Sequence, residues 1–91
     1  MDMVINFANV SSAIAAEQAL SQAGILAMVM PTPSSVQAGC GFCLRLPPQS
    51  LDAAIERLDS DGVSYSGVFS RSVEQGGDTY VPLGAFAAGG V

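Results

Sequence analysis

Two apolar stripes at helical spacing set the outline of this chain. Ala13, Ala16, Leu20 and Ala23 recur at steps of three and four, and so do Leu51, Ala54, Ile55 and Leu58. Each set falls on one face of a helix. Between and around the stripes lie runs of strand length, at residues 3–7, 25–30, 42–46 and 63–69. Ser11 or Ser12 can cap the first helix, and Gly24 suits the left-handed position that ends one. The small residues of the first stripe let that helix lie close to a sheet. Residues 25–30 are continuously apolar, as in a buried strand, and Pro31 stops them. Phe42, Leu44 and Leu46 alternate with Cys43 and Arg45, which gives their strand one covered and one more open face. Pro47 and Pro48 break that strand and can open the second helix, which Gly62 closes. Gly67 is the place for a bulge in the fourth strand.

The element order β-α-β-β-α-β is the split βαβ plan, so the expected class is α+β and ferredoxin-like: a four-stranded antiparallel sheet with two helices on one face. The strand order in that sheet is 4-1-3-2. The domain is expected to close at residue 69. Residues 70–91 read as a flexible or partner-docked tail, punctuated by Gly76-Gly77 and Gly89-Gly90, with residues 79–83 able to form a short extra strand.

The chain has 91 residues, 49% of them hydrophobic and 12% charged, which favours one small domain with a packed core. Net charge is −5, from three arginines, no lysine, no histidine and eight carboxylates. Such a balance offers no basic stripe for nucleic acid and no attraction to an anionic membrane. Without histidine there is no imidazole base and the commonest metal ligand is missing. No secretory signal or membrane-length apolar run is visible, so a cytoplasmic setting with reduced cysteines is expected. Asp52, Glu56, Asp59 and Asp61 follow helical spacing and read as a solvated face. Met28 and Met30 read as core, and Arg45 as part of a solvated strand face.

The chemistry concentrates on Cys40. A buried thiol normally has bulky apolar neighbours, whereas this one lies between Gly39 and Gly41 at the end of a Pro/Ser-rich loop. Bare backbone on both sides leaves its sulfur approachable. In the split βαβ plan Cys40 stands at the end of a central strand, at the edge where the first helix begins near Ser11 and Ser12. The positive end of that helix favours a thiolate, while Asp59 and Asp61 at the end of the second helix oppose it. Cys40 and Cys43 form a C-x-x-C, but the pair enters a strand, where residues three apart span roughly 10 Å and point to opposite faces. Cys43 is therefore expected to pack, serving as a resolving thiol only if the turn bends. Two thiols alone are too few for a closed zinc site.

Pro31, one residue, Pro33, and then Cys40-Gly41 leading into a strand resembles the selenium/sulfur carrier protein-like family. The resemblance runs from the first strand to about Phe69. Ser34 stands where that family usually has a basic residue. The resemblance implies that Cys40 carries a sulfur or selenium atom as a persulfide or perselenide. Pro31, Pro33, Gly39, Gly41, Ser11 and Ser12 would support it. It further implies a donor such as a cysteine desulfurase, an acceptor of unknown identity, no cofactor, and a carrier rather than a stand-alone enzyme. A different class stays open: a non-catalytic regulatory or protein-binding module, since ferredoxin-like domains can also dimerise through sheet edges and fold alone does not fix function. A third reading, a thiol-redox protein, would require Cys43 as well.

Overall fold

The computed structural model describes residues 2–32 and 41–83. Its elements are β1 (Asp2–Asn6), α1 (Val10–Gln22), β2 (Met28–Pro31), β3 (Phe42–Leu46), a 3-10 turn (Pro48–Ser50), α2 (Leu51–Ser60), β4 (Gly67–Glu74) and β5 (Gly77–Pro82). They form an α+β fold with one antiparallel sheet in the order β2-β3-β1-β4-β5. The first four strands keep the expected 4-1-3-2 order.

The sheet has five strands, which corrects the expected four. β4 continues past residue 69 to Glu74, and β5 pairs with it from Glu74↔Gly77 to Phe69↔Pro82. The two-residue turn between them is Gln75-Gly76, and Gly76 and Gly77, the first residue of β5, sit at φ 91° and 134°, a backbone region that a side chain disfavours. These glycines, read as punctuation of a tail, build a hairpin. Arg71 ties the addition down: it bonds Asp2 of β1 at 2.6 Å and Asp78 of β5 at 3.0 Å, reaching both sides of β4. Leu83 packs partly against the core, and its N–H donates to the Val68 carbonyl. Residues 84–91 lie outside the described residues.

Both helices bury their stripes on the sheet face that carries Ile5, Leu44, Leu46 and Val68. α1 contributes Ala13, Ala16, Ala19 and Leu20, and α2 contributes Leu51, Ala54, Ile55 and Leu58. Ala23 is not on the buried face; it is the exposed residue that caps α1. The side-chain cap at the other end is Asn9, whose Oδ1 accepts the Ser12 N–H at 2.8 Å, in place of the expected serines. Asn9 has the extended backbone of an N-cap, while Ser11 and Ser12 already lie inside the helix. Gly24 and Gly62 sit at φ 74° and 70°, as helix-terminating glycines do.

Two further expectations change. β2 is shorter than residues 25–30 and is exposed: it stands at the edge of the sheet, with Met28 and Val29 about half open to solvent. Met28 is thus not core, and Arg45 donates to its sulfur at 3.4 Å. Gly67 makes no bulge, since it pairs in register with Asn6. A Cβ there would come within 3.2 Å of Asn6 Oδ1, so crowding against that buried side chain is what suits glycine to the position.

Two stability outcomes follow. Leu58 is fully buried between the helices and the sheet. Leu58→Ala should cost about 2–5 kcal/mol, a large part of a total of order 5–10 kcal/mol, read as a lower urea midpoint. Ending the chain at Glu74 should leave a folded but less stable domain, because β5 pairs with β4 alone while both helices and four strands stay. The exposed β4 edge should also promote self-association, visible by sedimentation. An unfolded product would show that the hairpin is integral to the core.

Candidate functional site

β2 and β3 are two antiparallel arms, paired from Met28↔Arg45 to Pro31↔Phe42. One hydrogen bond lies beyond the last pair: the Thr32 N–H donates to the Gly41 carbonyl at 2.9 Å. The ends of the segment 33–40 are therefore fixed against each other on a paired base. Cys40, Pro33, Ser34 and Gly39 belong to that segment and lie outside the described residues. Pro31 closes β2 as its last residue, a tolerable place for proline because β2 is an edge strand. Gly41 is exposed, and among the described residues no atom beyond its chain neighbours lies within 4 Å of where its Cβ would be.

The second thiol is placed differently. Cys43 is fully buried and not in a disulfide. It sits opposite Met30 on one side and Asn6 on the other. Its S–H donates to the Met30 carbonyl at 3.8 Å and to that of Pro31 at 3.9 Å. It is a packing residue on the sheet face opposite the helices; the alternation set Cys43 with Arg45 on the more open face and Phe42 on the covered one, whereas Cys43 is buried and Phe42 is half exposed. No cluster of three metal-ligating side chains occurs among the described residues.

The start of α1 and the start of β3 do meet at one edge. Val10 and Phe42 line the same groove, together with Ala13, Ile14, Glu17 and Val29. Ser11 is exposed in the first turn of α1, and Ser12 is half-buried with its N–H held by Asn9. The acids of α2 are partly engaged. Asp61 pairs with Arg57 at 3.0 Å. The Tyr65 phenol is pushed above its usual value of 10.0, first by burial and then by Asp59.

The groove is the feature that the sequence did not announce. It encloses about 180 Å³, and its apolar lining is open to solvent: Val10, Ile14, Val29 and Phe42 are between 45% and 52% exposed. One signal was available. Ile14 follows Ala13 directly and therefore falls off the buried stripe, leaving a large β-branched apolar residue on the outer face of an amphipathic helix.

The described residues contain no helix long and apolar enough to cross a membrane. Neither a curated protein nor a solved structure matches the chain. A family does: residues 2–70 match the model described as "Putative Se/S carrier protein-like". The match begins at the first residue of β1 and ends inside β4, so it takes in both arms of the β2–β3 hairpin and the segment with Cys40, and leaves β5 outside. By that match, which spans well over half of its length, the chain belongs to the Se/S carrier protein-like family.

Proposed function

We propose that the protein carries a sulfur or selenium atom on Cys40, as a persulfide or perselenide, between a donor protein and an acceptor. The observation that carries this reading is the family match over residues 2–70, which contains Cys40. The burial of Cys43 supports it, because that leaves Cys40 as the thiol available for exchange. The fixed base formed by Thr32 and Gly41, and the exposure of Gly41, suit a segment that must present a sulfur to another protein.

The step balances without a cofactor. The Cys40 thiolate attacks the outer sulfur of a donor persulfide. A new S–S bond forms on Cys40, the donor S–S bond breaks, and the donor leaves as a thiolate; no net oxidation occurs. A selenium atom in the same position transfers in the same way. A cysteine desulfurase is a donor of the right kind, since such an enzyme bears a persulfide. The chain has no histidine or lysine to act as a base. The thiolate fraction of Cys40 therefore rests on its surroundings, and the N-terminal end of α1, whose Val10 shares a groove with Phe42, would favour the thiolate of a sulfur held near it.

Intact-mass analysis after incubation with a cysteine desulfurase and cysteine tests this. The wild-type chain should gain one sulfur atom, sensitive to reducing agent and mapped to Cys40. Cys40→Ser should gain none, and Cys43→Ala should behave as wild type. Sulfur found on Cys43, or an unchanged mass with both this donor and inorganic polysulfide, would remove the carrier assignment. Alkylation of the native protein should likewise label Cys40 long before Cys43.

A further inference from the structure

We infer that the groove between α1 and the β2–β3 hairpin is a docking site for a partner protein that presents an apolar side chain beside a lysine or arginine.

Apolar exposure on this molecule is concentrated. Of the large apolar residues exposed among the described residues, Val10, Ile14, Leu26, Met28, Val29 and Phe42 belong to α1, to β2 and the stretch leading into it, or to the start of β3. Val73 and Val81 alone belong to the β4–β5 hairpin. The groove collects four of the first group over an Ala13 floor. At about 180 Å³ it is smaller than the ~300–1,000 Å³ of small-molecule sites, and it suits a single inserted side chain. β2 also lies at the sheet edge, so its backbone borders the groove without a further strand on its outer side among the described residues.

Charge selects the occupant. Among the described residues, Glu17 is the one ionisable residue that lines the groove. The chain's three arginines are placed elsewhere: Arg57 on Asp61, Arg71 on Asp2 and Asp78, and Arg45 against the Met28 sulfur. Residues 33–40 and 84–91 contain no lysine or arginine. Glu17 therefore pairs with no arginine among the described residues, in a chain whose net charge is −5. A second copy would bring the same net charge of −5 to the groove, and the segment 84–91, without lysine or arginine, would leave Glu17 uncompensated. A basic partner gains from Glu17 and from the long-range field of the whole molecule. Phe42, on the groove wall, follows Gly41, at which the Cys40 segment ends. That the partner is the donor or acceptor of the carried atom rests on the carrier reading; the docking itself does not.

The test uses the full ¹⁵N-labelled chain and two synthetic dodecapeptides, each with a Leu-Phe centre, one flanked by arginines and the other by glutamates. The arginine peptide should shift the amide signals of Ile14, Glu17, Val29 and Phe42 and should weaken with salt, while the glutamate peptide should not bind. Ile14→Arg should lower affinity about tenfold, and Glu17→Lys should shift preference toward the glutamate peptide. Both positions are exposed, and circular dichroism should stay unchanged. Cys40→Ser should bind the arginine peptide like wild type, so a failed carrier assignment leaves this result standing. The inference is overturned if neither peptide binds, if both bind equally, or if the shifts map elsewhere. It is also overturned if sedimentation shows a dimer that Ile14→Arg dissociates, which assigns the groove to a second copy. Binding that appears only after residues 84–91 are removed would assign it to that segment.

Discussion

Everything in this fold is aligned on β1. It is the middle strand of five, paired with β3 on one side and β4 on the other, and Val4 and Ile5 are both fully buried although they face opposite ways. Ile5 belongs to the helix-side core, with Leu44 and Val68 as its cross-strand neighbours. Because side chains alternate along a strand, a slip of one residue would turn Ile5 away from the helices, and the ladder is held in a single register. The last residue of β1 carries that order to the edge of the sheet. Asn6 pairs with Cys43 and with Gly67, its carbonyl accepts the Ser66 N–H at 2.7 Å, and its buried side chain would crowd a Cβ at Gly67 at 3.2 Å. The start of β3, and with it Gly41, is thereby fixed relative to the start of α1.

The helices and the order of the first four strands were legible because a 3.6-residue stripe and a two-residue alternation are strong signals when glycine and proline bound them. Leu51, Ala54, Ile55 and Leu58 are buried as their spacing predicts. The errors share a cause: local composition does not report which side of an element the rest of the chain covers. Residues 25–30 look buried by hydropathy, yet their strand falls at the sheet edge, where Met28 and Val29 face solvent. Residues 70–78 look like tail by their serines and glycines, while the possible strand at 79–83 falls largely within β5. Their pairing is decided by the free edge of β4 and by Arg71, whose partners Asp2 and Asp78 are distant in sequence. The cap at Asn9 was missed because Ser11 and Ser12 offered the same chemistry two residues later. At the site, the loop that holds Cys40 and a packing role for Cys43 were readable, but the Thr32–Gly41 base and the burial of the face that carries Cys43 were not. The groove was not, since it needs the distance between Ile14 and Phe42.

The exposed strand and the groove have one origin. α1 meets the sheet through Ala13, Ala16, Ala19 and a single large residue, Leu20. Alanine brings the helix close to the sheet but covers little of it, so the sheet's end beyond Leu44 stays uncovered on the β2 side. Val29 and Phe42 are the residues that a bulkier helix face would bury. A hydrophobic strip of this kind reduces the stability of a small domain and invites association. It lies beside the hairpin whose far end holds Cys40, and not on the opposite β4–β5 side, where β5 and the Arg71 ion pairs close the sheet.

Separation of the two thiols completes the arrangement. If both cysteines were exposed at one edge, a persulfide on the first could be resolved by the second, releasing sulfide and leaving a disulfide. Here Cys43 is withdrawn to the buried face by the pleat of β3, two residues after Gly41, and the Met30 and Pro31 carbonyls of the neighbouring strand stand over it. A carried atom on Cys40 would then leave only to a nucleophile from outside the chain. A histidine-free and lysine-free surface supplies no internal competitor either. Retention of a reactive sulfur by such a domain would therefore depend on what the fold hides, and the pleat of β3 is the element that hides Cys43.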